Sequence, residues 1–323
     1  MKKKESKNLN RYEMKSKAKG FLFYRESNNL GDYIQSIAAK KLIDERAVPI
    51  DREALNSYNG PITKLIMNGW FMENSKNWPP SDNIKPLMIS FHINPIAVKN
   101  MLKPIGVEFF KKHEPIGCRD LYTQNVLTQY GVESYFSGCL TLTLKNKNKN
   151  KTGEGILVLG AIDRIKPKIN LKSFILDILK FPKKYKKYKT SRIRLNSFIK
   201  RLGDSKIIYS SQIVKSKAYS EQEKFSLAEK QLDLISKSRI IITSRIHTAL
   251  PAISLGVKVI FLTDGLDHIN QKSRLEGLSD YFYCCNTNDL KNIDINKIRP
   301  KKNHTTISHS LKEKVKNFLD SDK

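Results

Sequence analysis

Cysteine is scarce in this chain: 323 residues hold four, Cys118, Cys139, Cys284 and Cys285, with no C-x-x-C spacing. That argues against a zinc site and a disulfide framework, and fits a reducing, cytoplasmic setting. No apolar run approaches the roughly 18 residues that a membrane span needs. Phe21 to Tyr24 is too short to be a signal-peptide core behind the basic start. Several signatures are missing as well. There is no G-x-G-x-x-G after a strand, no Walker A loop, no H-E-x-x-H and no G-x-S-x-G. Nicotinamide oxidoreductase, P-loop ATPase, zinc hydrolase and α/β-hydrolase readings therefore lack their motifs, and neither a metal nor a resident cofactor is expected.

Acidic residues are also few: 31 Asp+Glu stand against 59 Lys+Arg, a net charge of +28. Such an excess suits nucleic acid, an anionic membrane or an anionic substrate. It is mostly lysine and spreads over both halves, so it permits these partners without selecting one, and no specific nucleic acid is implied. With 39% hydrophobic residues the composition is globular, and the length suits about two domains.

The chain is organised around residues 238–262. Ile240 to Ile242 form a β-branched apolar run that suits a strand buried on both faces. Ser244, Arg245, Ile246 and His247 follow, then an apolar helical segment to Leu255 that stops at Gly256, then a strand from Val257 to Leu262. Pro251 fits if the helix begins close by. In open parallel sheets ligands bind at the carboxyl ends of strands. On that turn Arg245 presents a fixed fork of donors, and His247 can exchange protons near neutral pH. The plain alternative is a capping histidine beside a solvated arginine.

The first half repeats the pattern. Residues 1–18 read as a basic flexible arm and Gly20 to Tyr24 as a strand. Asn28, Asn29, Gly31 and Asp32 form a polar turn before a helical pattern (Ile34, Ile37, Ala38, Leu42), with Asn28 and Asn29 able to bond a sugar or a carboxylate. A simple Asx turn with a helix cap explains them nearly as well. Two further strands, Leu65 to Phe71 and Leu87 to Ile93, place Trp70 and His92 at strand ends, where a ring can meet a sugar or simply be buried. Arg119, in Gly117-Cys-Arg-Asp120, opens another helix; its alternative is a salt bridge to Asp120 or another carboxylate. Ser137 to Leu144 reads as a strand entered through a glycine turn.

Residues 145–155 are a polar low-complexity linker. The second half opens with a strand at Ile156 to Leu159. A basic insertion, 164–201, carries 14 Lys/Arg and one acid. It suits a peripheral helix on an anionic bilayer or a solvated basic helix pair. A strand at Lys206 to Tyr209 and a helix at Ser226 to Ser236 follow. Ser273 to Leu278, with Arg274, is a candidate cleft segment, and residues 301–323 form a C-terminal helix or tail. Strands alternating with helices on both sides of the linker imply an α/β protein of two Rossmann-like, doubly wound domains, 19–144 and 156–300, facing across a cleft.

Four stretches in order, Asn28 to Gln35, Gly117 to Asp120, Ser137 to Leu144 and Thr243 to Pro251, resemble the polysaccharide pyruvyl transferases. The basic insertion lies outside the resemblance. It implies a GT-B-like fold and transfer of a pyruvyl group from phosphoenolpyruvate, as co-substrate, to two hydroxyls of one sugar. The product is a cyclic ketal on a cell-surface glycan or its lipid-linked oligosaccharide precursor. It also implies that Arg119, Arg245 and His247 serve the donor, with Ile246 placed between the latter two. Asn28, Asn29, Asp32, Trp70, His92 and Arg274 remain candidates for the acceptor or cleft. Competing readings are a GT-B-type glycosyltransferase with a nucleotide-sugar donor, and a non-enzymatic polyanion or membrane binder.

Overall fold

The computed structural model describes residues 18–44, 46–146, 153–169, 174–203, 206–215 and 218–321. The proposed arm, apart from Ala18, and linker residues 147–152 lie outside them. The first sheet contains β1 (Ala18–Phe23), β2 (Val48–Asp51), β3 (Thr63–Phe71), β4 (Ile84–Ile93), β5 (Ile116–Cys118) and β6 (Ser134–Phe136) in the order β2-β1-β3-β4-β5-β6. The second contains β7 (Ile156–Leu159), β8 (Ile207–Ser210), β9 (Ile240–Thr243), β10 (Lys258–Leu262) and β11 (Tyr283–Cys285) in the order β11-β10-β9-β7-β8. All these pairings are parallel. Each order reverses between its first and third strand, so each sheet has a switch point, at β1/β3 and at β7/β9.

The helices that matter are α1 (Leu30–Lys40), α2 (Val98–Met101), α3 (Pro104–Lys112), α4 (Leu121–Gln129), α5 (Phe174–Arg201), α6 (Glu221–Ser236), α7 (Ile246–Ser254), α8 (Ile269–Lys272) and α9 (Thr305–Asp320). Short polar side chains start several of them. Asn29 Oδ1 accepts from Gly31 N, Asp120 Oδ1 accepts from Thr123 N, and Ser220 and Glu223 form a reciprocal capping box at α6. One apolar core joins the halves: Tyr33, Ile34 and Ile37 of α1 pack with Leu157, Leu159 and Ile241 of the second sheet and with α6 and α7. Helix α9 returns to the first sheet, where Leu311 and Val315 pack with Phe21, Ile66 and Ile89. There Lys64 Nζ donates to the Phe318 carbonyl at 2.8 Å.

Three expectations need correction. Ser137 to Leu144 is not a strand but a loop with a 3₁₀ turn over Leu140–Thr143. Its alternation has no meaning for a segment buried on every side. Helix α7 starts at Ile246 rather than near Pro251, which lies inside it. A proline there leaves the His247 carbonyl, four residues back, without its donor, and His247 itself departs from helical geometry (φ −82°, ψ 15°). Residues 174–201 of the basic insertion are one continuous helix, α5, rather than a helix pair. Arg164 precedes it and belongs elsewhere, as described next.

Candidate active site

The turn after β9 is sewn to the end of β7. Thr243 Oγ1 donates to the Leu159 carbonyl at 2.7 Å and accepts from Arg245 N at 2.9 Å, while Ser244 Oγ donates to the Gly160 carbonyl at 2.6 Å. This places Arg245 at the β7/β9 switch point. Its Nη2 lies 2.9 Å from Asp163 Oδ2, and its Nε is buried with no hydrogen-bond partner among the described residues. Gly160 makes room for both: at φ +57°, a Cβ there would stand 2.9 Å from Arg245 Nε and 3.0 Å from Asp163 Oδ2. Arg164 turns inward. Its Nη1 donates to the Leu262 carbonyl at 3.0 Å, its Nη2 donates to that of Ser244, and the guanidinium stacks 5.1 Å over Phe261. Burial, then the charges of Arg245 and Arg274, lower its pKa to about 10.

His247 is buried, and its Nε2 also lacks a hydrogen-bond partner among the described residues. Burial first, then Arg119, Arg274 and His92, push its pKa well below the ordinary imidazole value, so the ring is neutral at pH 7. Asn29, Arg164, Gln212, Arg245, His247 and Arg274 are among the residues lining a cavity of about 130 Å³. The first sheet contributes through α1. Leu30 N donates to the Gln212 carbonyl and Val214 N to that of Asn28, each at 2.8 Å. Gly31 permits the approach, since a Cβ on it would meet Gln212 Nε2 at 2.9 Å and His247 Cβ at 3.0 Å.

Arg119 sits at the carboxyl end of β5, fully buried, and none of its three guanidinium nitrogens has a hydrogen-bond partner among the described residues. It does not line the cavity, but its charge reaches both His247 and Arg274, which do. The expected carboxylate is present, though off line: Asp120 Oδ2 lies 3.4 Å from Arg119 Nε and 2.6 Å from His92 Nδ1. Thr123 Oγ1 donates to Asp120 Oδ1 at 2.8 Å and lies 3.2 Å from His92 Nδ1. Burial lowers the His92 pKa to about 4 against the pull of Asp120. Burial works to raise the Asp120 carboxyl, but His92 and Arg119 together hold it below its usual range.

The other candidates separate. Asn29 and Arg274 line the cavity, and Ile246 does so between Arg245 and His247. Arg274 Nε is buried without a hydrogen-bond partner among the described residues, and burial and Arg119 lower its pKa to about 10. Asp32 accepts from Ser27 Oγ at 2.7 Å and lies within electrostatic reach of Arg274; burial raises its pKa. Asn28 is exposed, its carbonyl held by Val214. Trp70 lies outside the cavity, with the Arg52 guanidinium 4.9 Å over its ring. Asp163, Arg164 and Gln212 were missed. A signal for the first two existed, because they lie on the turn that follows β7 and Gly160, as Asn29 lies on the turn that follows β1. Among the described residues no three His, Cys, Asp or Glu side chains cluster as metal ligands do.

Comparison with known proteins adds four findings. A functionally uncharacterised protein from Klebsiella pneumoniae subsp. pneumoniae NTUH-K2044 superposes with a TM-score of 0.43 at 12% identity, over 88% of this chain and 98% of that one. UDP-GlcNAc 2-epimerase of Methanocaldococcus jannaschii, solved with UDP-GlcNAc and UDP, gives 0.42 at 11% identity, over 93% of this chain and 99% of that one. No curated protein matches the sequence. The model of the polysaccharide pyruvyl transferase family matches residues 29–264, which takes in every element from α1 to β10 and the turns that carry Arg119, Arg245 and His247, and the chain belongs to that family.

Proposed function

We propose that this cavity binds phosphoenolpyruvate and that the protein transfers its pyruvyl group to two hydroxyls of one sugar, in the cytoplasm, during cell-surface polysaccharide synthesis. The observation that carries this reading is that Arg245 Nε and Arg274 Nε, on the cavity's lining residues, are buried with no hydrogen-bond partner among the described residues, as is His247 Nε2, with the charge of Arg119 within reach of Arg274 and His247. Each unmet charged donor costs about 1–3 kcal/mol in the empty protein. A small ligand with a phosphate and a carboxylate removes that cost, and planar guanidinium forks suit both groups.

In this mechanism Arg245, held by Asp163, and Arg274 bind the anionic groups from the cavity wall, and Arg119 supplies positive potential from beneath. The bound negative charge opposes the arginines that depress His247 and so raises its pKa toward protonation. His247 then protonates C3 of the enol, and positive charge develops at C2. One sugar hydroxyl adds to C2 and gives up its proton. The C2–O bond to phosphate breaks, phosphate leaves with the electron pair, and the second hydroxyl closes the ketal with loss of its own proton. His247, neutral again after the first step, is placed to take a hydroxyl proton.

Incubation with phosphoenolpyruvate and a panel of galactosyl and N-acetylhexosaminyl acceptors tests this reading. It expects phosphate release that depends on the acceptor. Protection against heat by a nucleotide sugar, with none from phosphoenolpyruvate, would instead support a glycosyltransferase.

A further inference from the structure

Helix α5 is only half used by the fold. From Ser191 to Arg201 it lies on the second sheet. Ser191 Oγ accepts from Thr287 Oγ1 at 3.0 Å, Leu195, Phe198 and Ile199 pack against Ile156, Ile240 and Ile260, and Arg201 donates to the carbonyls of Leu290 and Lys291. From Phe174 to Thr190, none of the described side chains is buried. A crossover helix runs antiparallel to the strand before it, and Ser191 already meets Thr287, just past the end of β11. Lys183, Lys186, Lys187 and Thr190 still line a shallow pocket with Asp264, Thr287 and Asn288, and the turns before them, Phe174 to Pro182, about 13 Å of helix, project beyond the carboxyl edge of the second sheet. That edge also carries Arg164 and Arg245.

The unburied half has two chemistries. Phe174, Ile178, Phe181 and Tyr185 follow one face at helical spacing, with Phe181 and Tyr185 stacked at 5.9 Å. Ile175 and Leu179 flank them at 74% and 72% exposure, which no packing among the described residues explains. Around this stripe stand Lys180, Lys183, Lys184, Lys186, Lys187 and Lys189 against a single acid, Asp177, itself paired with Lys184 at 2.8 Å. Exposed large apolar side chains ringed by lysines suit the boundary between acyl chains and anionic headgroups, where each lysine near the surface adds to binding. Among the described residues no helix is long and apolar enough to cross a membrane, so this contact is one of lying on the surface.

We infer that the unburied half of α5 docks the protein onto an anionic lipid bilayer, with the carboxyl edge of the second sheet toward the headgroups. The inference stands apart from the donor chemistry and survives if that reading fails.

Flotation of the full chain with phosphatidylcholine vesicles, with and without phosphatidylglycerol, tests it. Each variant is first checked for unchanged thermal unfolding. The chain is expected to float with the anionic vesicles. The double variant Ile175→Gln/Leu179→Gln should lose binding about tenfold at physiological salt, because its charge is unchanged and only the apolar contact has gone. Lys183→Gln/Lys186→Gln/Lys187→Gln should lose at least as much, while Lys291→Gln/Lys297→Gln/Lys301→Gln should bind nearly as wild type. Equal losses from both lysine sets with none from the apolar pair would overturn the inference in favour of diffuse attraction by the net charge. A dimer in the absence of vesicles that the apolar pair dissolves would also overturn it, and would make the stripe a self-interface.

Discussion

Gly31 and His247 stand against each other, so close that a Cβ on Gly31 would lie 3.0 Å from His247 Cβ. The turn that starts α1 thus bears directly on the second residue of α7, and the two switch-point turns meet at one place. Replacing Gly31 by alanine needs a shift of a few tenths of an ångström against Gln212, His247 and Asn29 together. We expect Gly31→Ala to fold, with kcat/KM falling about tenfold through misplacement of the imidazole. Steady-state kinetics beside thermal unfolding measures both.

Arg119 separates stability from function. Its guanidinium is buried without hydrogen bonds among the described residues, and its one ion-pair carboxylate, Asp120, is shared with His92. Arg119→Met leaves the buried Asp120 carboxylate to His92 alone, so the ligand-free protein should lose up to about 3–5 kcal/mol of stability. Donor binding should be lost in the fraction that remains folded. Denaturant unfolding and calorimetric titration with phosphoenolpyruvate check the two halves, and undiminished phosphoenolpyruvate binding would mean that Arg119 serves the fold alone.

Arg245→Lys keeps the charge and loses the fork. We expect kcat/KM to fall on the order of a hundredfold, the loss of a bidentate charged contact. Asp163→Asn removes the group that fixes Arg245 and should raise KM more than it lowers kcat. Gly160→Ala should resemble Asp163→Asn, because its Cβ would press on Arg245 Nε and Asp163 Oδ2 alike.

The pH profile carries the histidine. Burial and three cationic or imidazole neighbours depress the His247 pKa, so the free enzyme holds it neutral down to well below the usual imidazole range. Because the ring must carry a proton to start the reaction, the limb of kcat/KM that reports His247 should lie below pH 6.5, with activity lost as pH rises through the folded-state pKa. Arg274→Gln removes one cation that lowers this pKa and should move the limb to higher pH, besides weakening donor binding. His247→Gln should abolish the limb and lower kcat more than it raises KM.

Much of this arrangement was legible in the chain. The run Ile240 to Ile242 before Ser244-Arg245 announced a buried strand ending in a charged turn, and Asn29 before the periodic apolar positions of α1 announced its cap. Other features were hidden for physical reasons. Arg164 opens a lysine-rich stretch, and nothing in its composition distinguishes a guanidinium folded inward over Phe261 from the solvated charges that follow. Gln212 acts through its position after β8, an edge strand with alternating exposure that pattern reading cannot connect to a turn nearly two hundred residues earlier. Leu140 to Thr143 alternates like a strand, yet it is buried on both sides. The docking of α9 on the first sheet is a long-range event that local periodicity does not encode.

The most direct test is the thermal shift given by phosphoenolpyruvate alone. A ligand that binds only the folded state stabilises it by RT ln(1 + [L]/Kd), about 2.7 kcal/mol at a hundred times Kd. The account predicts a saturable rise in Tm with phosphoenolpyruvate for the wild-type chain, lost in Arg119→Met and reduced in Arg245→Lys. No rise at millimolar phosphoenolpyruvate, or an equal rise in all three proteins, would contradict it.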